Sequence, residues 1–128
     1  MLGSDEAKLE LSAVNERAFR YYRSLRSVHE YVTENYSAKI TLGAAAQIAR
    51  MERTYFSAFF HRKVGIRFRD WLGLLRVHQA MRILAECDQP VPAVGRAVGF
   101  EELRTFERAF KKFAHQTPAQ YRRVARPC

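Results

Sequence analysis

Apolar residues recur every three or four positions along nearly the whole chain, a spacing that predicts an all-helical fold. The first predicted helix runs from about Asp5 to Tyr36, with a break near Ser24 or Ser27. Its apolar positions form a heptad seam made of Leu11, Val14, Ala18, Tyr21, Leu25, Val28 and Val32. Such a seam fits either a helix packed on its own domain or a dimeric coiled coil. We favour the first, because alanine and tyrosine are poor seam residues.

Turn and capping residues divide the rest of the chain into shorter helices, seven or eight in all. Thr41 is a candidate N-cap before a small apolar segment, and Gly65 is a candidate C-cap of the following helix. A long helix is predicted from Phe68 to Glu86. Pro118 is expected in the first turn of a last short helix, where proline is favoured.

The second half of the chain repeats the first. At an offset of 50, Phe56, Phe60 and Trp71 correspond to Phe106, Phe110 and Tyr121. Each copy has a short small-residue helix, a tight turn and a longer amphipathic helix, which is the helix-turn-helix pattern. We therefore predict an N-terminal helical extension (1–27), a first helix-turn-helix subdomain (28–67), a linking helix (68–87) and a second subdomain (88–126). Trp71 and Tyr121 are expected to be mostly buried.

The charge of the chain indicates a polyanionic partner, either nucleic acid or an anionic membrane face. Lysine and arginine number 22 against 13 acidic residues, a net charge of +9, and the whole excess lies after residue 40. Arginine, with its planar fork of donors suited to phosphate and guanine, supplies most of the positive charge. No apolar run is long enough for a membrane helix, no signal peptide is visible, and the two cysteines form no C-x-x-C pair. We therefore expect a cytoplasmic protein that does not act at a membrane.

Three ordered motifs carry a resemblance to a known family. They are V-P-A-V-G-R-A-V-G-F at 91–100, T-F-E-R-A-F-K-K at 105–112 and T-P-A-Q-Y-R at 117–122. Together they resemble the DNA-binding domain of AraC/XylS-family transcription regulators, over about residues 28–123. The resemblance implies recognition helices in two successive major-groove segments of double-stranded DNA, about 34 Å apart. It also implies activation of transcription through contact with RNA polymerase.

Several positions depart from the family pattern. Gly95 stands where the family usually has alanine, and His115 stands where it usually has the glycine before T-P. Ala58 replaces a frequent arginine in the first recognition helix, and Arg104 and Glu107 replace small or amide residues in the second. We therefore expect the second recognition helix to discriminate among bases more strongly than the first.

The outward positions of the two recognition helices are the candidate site. The candidate base-reading residues are Thr54, Ser57, His61, Arg104, Thr105 and Arg108. The candidate phosphate-binding residues are Arg50, Arg53, Arg62, Lys111 and Lys112. Arg104 and Arg108, spaced i and i+4, are expected to point one way, although both could instead be surface or phosphate-contacting residues. Glu101 and Glu102 are expected to stabilise the start of the second recognition helix through its dipole.

No recognisable catalytic constellation, phosphate-cradling glycine loop or metal-ligand spacing occurs, so we expect no enzyme, no cofactor and no metal site. The alternatives are a non-specific nucleic-acid-binding protein and a helical protein-interaction adaptor. Family members often carry a separate effector-binding or dimerisation domain, which forty N-terminal residues are too few to form. The chain is then either a small stand-alone regulator or the DNA-binding half of a longer one. The operator, the effector and the choice between activation and repression stay open.

Overall fold

The computed structural model describes residues 14–126 of the chain, and within this range it contains eight α-helices and no strand. The helices are α1 (Glu16–Tyr21), α2 (Arg23–Asn35), α3 (Leu42–Ile48), α4 (Arg53–Val64), α5 (Phe68–Glu86), α6 (Val91–Ala97), α7 (Leu103–Ala114) and α8 (Pro118–Ala125). The all-helical prediction is confirmed, and α5 has the predicted bounds.

The first helical segment is broken, as predicted, but the break lies at Tyr22 and not near Ser24 or Ser27. Tyr22 has extended backbone angles (φ −97°, ψ 120°), so it ends α1 and begins α2 two residues before the nearer predicted break. The turn lets α1 fold back on α2 and brings the Tyr22 ring to 5.2 Å from the ring centroid of Phe59. Tyr21, a predicted seam position, is consequently 79% exposed.

The other seam positions inside the described range are buried within the chain itself, namely Val14, Ala18, Leu25, Val28 and Val32. This confirms packing on the chain's own domain at these positions, whereas Leu11 lies outside the described residues. Two hydrogen bonds from Asn15, one from its backbone N–H to the Val64 carbonyl (2.8 Å) and one from its amide to the Lys63 carbonyl (3.1 Å), tie the start of α1 to the end of α4.

An aromatic cluster closes the first helix-turn-helix unit, which consists of α3 and α4. Trp71, from the first turn of α5, is 1% exposed, as predicted. Its ring centroid lies 4.9 Å from that of Phe19 on α1 and 5.5 Å from that of Phe60 on α4. The N-terminal segment from Val14 onward is therefore part of this core.

The second unit, α6 and α7, packs on the rest of α5 and on α8. Phe106 and Phe110 are fully buried at its centre, and Tyr121 packs against this core with most of its surface covered, as predicted. Burial raises the pKa of the Tyr121 phenol.

Backbone caps fix the ends of both recognition helices. Gly65 ends α4 in the left-handed conformation (φ 99°), and His115 ends α7 in the same conformation (φ 61°). A histidine there is disfavoured relative to the glycine of α4, as its place in the sequence predicts. The hydroxyl of Thr41 caps α3, and Thr117 and Gln120 form a reciprocal capping box at the start of α8.

Candidate nucleic-acid interface

Helix α4 presents one polar face because its other face fills the core. Phe56, Phe60 and Val64 are fully buried, which turns the candidate residues between them outward. The carboxylate of Glu52 accepts hydrogen bonds from the backbone N–H groups of Thr54 (2.9 Å) and Tyr55 (3.0 Å). These two bonds fix the first turn of α4 and hold the pKa of Glu52 below its ordinary value.

The polar face of α4 borders a shallow concavity that also includes the start of α5. Its lining residues are Leu42, Arg53, Thr54, Ser57, Ala58, His61 and Arg67. The three predicted base-reading residues of the first unit therefore lie together, with two arginines beside them. Side chains of hydroxyl and imidazole type can donate and accept hydrogen bonds, but they lack the bidentate fork of arginine.

Helix α7 is organised in the same way. Phe106, Phe110 and Phe113 are buried, and the predicted site residues of this helix are all exposed, namely Arg104, Thr105, Arg108, Lys111 and Lys112. Three arginine and lysine side chains therefore follow within two turns of Arg104 on the solvent side of the helix.

A groove between the two units collects residues from both recognition helices. Arg53 and Ser57 of α4 line it together with Thr105, Arg108 and Lys112 of α7. The basic side chains along the groove are Lys39, Arg53, Arg67, Arg69, Arg76, Arg108 and Lys112, and the acidic ones are Asp70, Glu101 and Glu102. The net charge of the groove is thus positive, as binding to a polyanion requires.

Six predicted site residues do not line this groove, and two of them, Thr54 and His61, line only the concavity beside α4. Arg104 and Lys111 are exposed on α7 outside it, so only Arg108 of the predicted arginine pair lines it. Arg62 is exposed at the other end of α4, with its guanidinium carbon 5.8 Å from the ring centroid of Phe59. Arg50 is exposed in the turn between α3 and α4, where its backbone is left-handed (φ 58°).

Three acidic residues, Asp70, Glu101 and Glu102, line the groove among the basic ones. Glu102 precedes α7 but its side chain makes no capping hydrogen bond, and Glu101 and Glu102 both line the groove. Asp70 accepts a hydrogen bond and ion pair from the ammonium of Lys112 at 3.1 Å. Both partners are partly exposed, so this pair contributes at most about 1 kcal/mol to stability. The ion pair does, however, engage Lys112, which was predicted from the sequence to contact phosphate.

Sequence reasoning missed Lys39, Arg67 and Arg69, which the fold brings between the two recognition helices. Arg67 and Arg69 flank the start of α5, directly after the turn that ends α4. Their position in the sequence could have predicted this location, because residues at the junction of a recognition helix and the linking helix must lie near the middle of a double helix-turn-helix domain. Within residues 14–126, no cluster of histidine, cysteine, aspartate and glutamate could hold a metal ion, and no helix has the length and apolarity to cross a bilayer.

Two helix-turn-helix units that share α5 and line one basic groove define a double helix-turn-helix domain. A family model described as "Helix-turn-helix domain" matches residues 45–124. The chain therefore belongs to this helix-turn-helix family, and its resemblance to the AraC-type DNA-binding domain is confirmed.

Solved structures with the same arrangement include DNA-binding domains. The DNA-binding domain of AdpA, a global transcriptional factor solved in complex with a target DNA, is 29% identical with a TM-score of 0.72 over 78% of this chain and 93% of that one. The C-terminal domain of AraT, a response regulator from Geobacillus stearothermophilus, is 27% identical with a TM-score of 0.74, over 79% of this chain and 84% of that one.

Among curated proteins, the HTH-type transcriptional regulator YijO of Escherichia coli (strain K12) is 29% identical over 108 residues, which are 84% of this chain and 38% of YijO. The HTH-type transcriptional regulator YtdP of Bacillus subtilis (strain 168) is 28% identical over 114 residues, 88% of this chain and 15% of YtdP. The chain thus spans well under half the length of these two curated relatives.

Proposed function

We propose that this AraC-type domain binds double-stranded DNA sequence-specifically and regulates transcription, with α4 and α7 in successive major-groove segments. The observation that carries the proposal is the basic groove lined by both recognition helices. A positive groove provides affinity for phosphate, and the outward polar residues of the two helices provide contacts to base edges. The DNA-binding title of the AdpA structure supports the same partner.

The proposed division of roles follows the chemistry of the two helices. Thr54, Ser57 and His61 read bases from α4, whereas Arg108, Arg104 and Thr105 read them from α7. The phosphate contacts come from Arg50, Arg53, Arg62, Lys111 and Lys112. To these the groove adds Arg67 and Arg69, placed where the backbone between the two major-groove segments would pass. Among the residues proposed to read bases, only those of α7 include arginines with a bidentate fork, so α7 is expected to provide the larger share of discrimination.

The proposal gives the chain no catalytic role and places it in the cytoplasm, where a bacterial chromosome lies. Bound near a promoter, the domain would activate transcription by contacting RNA polymerase, a role that its family resemblance supports. Transcription in vitro from a promoter that carries the selected site would test this part, because added protein should raise transcript yield only when the site is intact.

The DNA-binding proposal is tested by selecting a site from a random duplex library and titrating salt on the selected and on a random duplex. A sequence-specific regulator is expected to bind the selected duplex about 10³-fold or more tightly, with both affinities falling as salt rises. Equal affinity for the two duplexes would instead support the alternative of a non-specific nucleic-acid-binding protein. Absence of any mobility shift would support the adaptor alternative.

A further inference from the structure

Arg76, in the middle of α5, holds the loop between α2 and α3. Its Nε donates a hydrogen bond to the Tyr36 carbonyl and its Nη2 donates one to the Ala38 carbonyl, both at 2.8 Å. The side chain is partly buried, and this burial lowers the pKa of its guanidinium from the usual value. Two donors of one planar fork thus fix two carbonyls of a loop in the first unit.

The same guanidinium also contacts the second unit. Its Cζ lies 5.7 Å from the ring centroid of Phe100, in the turn between α6 and α7. Gly99 lies directly beside it with a φ of +109°, and a Cβ there would be 2.7 Å from Nε of Arg76 and 2.8 Å from the Tyr36 carbonyl oxygen. The turn of the second unit therefore approaches both the arginine and the backbone of the first unit as closely as a glycine allows.

Arg76 consequently joins three segments that are far apart in sequence, namely the α2–α3 loop, α5 and the α6–α7 turn. The first of these segments leads into α3 and α4, and the third leads into α7. Without this contact, the two units would be coupled mainly by the packing of their helices on α5. Arg82, six residues after Arg76 on the same helix, does not line the groove; it is exposed and forms no hydrogen bond or ion pair with described residues.

We propose that Arg76 is a positioning residue that fixes the two recognition helices relative to each other, and thereby sets the spacing between the two halves of the DNA site. The spacing part rests on the proposed function. One inserted base pair moves the second half-site by about 3.4 Å and rotates it by about 35°, so a rigid pair of helices accepts one spacing and a loosely joined pair accepts several.

The first experiment measures the distance between α4 and α7 in the full chain without DNA. Spin labels are attached at Ala58→Cys and Glu107→Cys, both exposed positions, in a background with Cys87→Ser and Cys128→Ser. We expect Arg76→Met to broaden or shift the distance distribution, and the matched control Arg82→Met to leave it unchanged. A distribution that is the same in the parent and in Arg76→Met would overturn the proposal.

Circular dichroism checks that each variant folds. If Arg76→Met does not fold, Arg76→Lys is measured against the same criteria, because a lysine keeps the charge but cannot hold both carbonyls with a planar fork.

The second experiment measures binding to the selected site and to the same site with one base pair inserted between its halves. The wild-type chain and Arg82→Met are expected to lose about tenfold or more on insertion, and Arg76→Met no more than about threefold. An unchanged ratio in Arg76→Met would contradict the spacing role. If the wild type does not distinguish selected from random DNA, the proposed function fails, while the distance measurement still decides the role of Arg76.

Discussion

Gly95→Ala should destabilise the protein, although the same change normally stabilises a helix. Gly95 is buried within α6, and a Cβ there would lie 2.7 Å from Cδ2 and 2.9 Å from Cγ of Phe106. Alanine gains about 1 kcal/mol of helix propensity over glycine, whereas overpacking a core costs about 1–3 kcal/mol. Because Phe106 is fully buried and its Cβ is also only 3.2 Å from the added Cβ, a new ring rotamer alone does not relieve the clash, and α6 and α7 must move apart. We therefore expect a net loss of up to about 2 kcal/mol in the free energy of unfolding.

Gly43→Ala is the matched control, because Gly43 also lies in the short first helix of a helix-turn-helix unit. The nearest atom to a Cβ at Gly43 is the Thr41 hydroxyl oxygen, 4.0 Å away, so alanine fits there without displacement. Urea unfolding followed by circular dichroism should show a gain of up to about 1 kcal/mol for Gly43→Ala and a loss for Gly95→Ala. A Gly95→Ala variant that gains as much stability as Gly43→Ala would refute the close packing of α6 on α7.

The other predictions concern the core, the pH dependence and the groove. Trp71→Ala should lose about 3–5 kcal/mol in urea unfolding, and a loss under about 1 kcal/mol would contradict its burial. The pKa of Glu52 is lowered in the folded protein, so the stabilisation from its carboxylate is present above the unfolded-state pKa and is lost as the pH falls through the folded-state pKa. Glu52→Gln should therefore lower the melting temperature more at about pH 7 than at about pH 3. An equal effect at the two pH values would count against the cap. Arg108→Ala should lose about 1–3 kcal/mol on the selected site and relax preference at one or two base pairs, which base-by-base substitution measures. Asp70→Asn should tighten binding to random duplexes and steepen the salt slope by about one unit, and an unchanged slope would mean that the freed lysine does not reach phosphate.

The sequence was sufficient to predict the helices and the inward faces of the recognition helices, because apolar spacing and capping residues are local signals. Phe56, Phe60, Phe106 and Phe110 are buried as their spacing requires. The break between α1 and α2 was expected near Ser24 or Ser27, and its exact position at Tyr22 was not predictable in this way, because no glycine or proline marks it. It depends on long-range packing of aromatic side chains on α4 and α5.

The site was predictable only in part for a similar reason. Helix periodicity sorts the residues of α7 into inward and outward, but it cannot tell which outward stripe faces the groove. The structure distinguishes Thr105, Arg108 and Lys112 from Arg104 by adding the position of α5. The Lys112–Asp70 pair and the Arg76 contacts join residues about 40 positions apart, and no local pattern reports such pairs.

Helix α5 belongs to both cores, and this has a consequence for how the protein unfolds. Its first turn supplies Phe68 and Trp71 to the aromatic cluster of the first unit, and the same helix packs against α6, α7 and α8. Melting either core removes one wall of the other, so the two units cannot lose their structure one at a time without fraying a continuous helix of 19 residues. The sequence repeat thus does not correspond to two exchangeable modules, because a single unit expressed without α5 would expose part of its hydrophobic core to solvent.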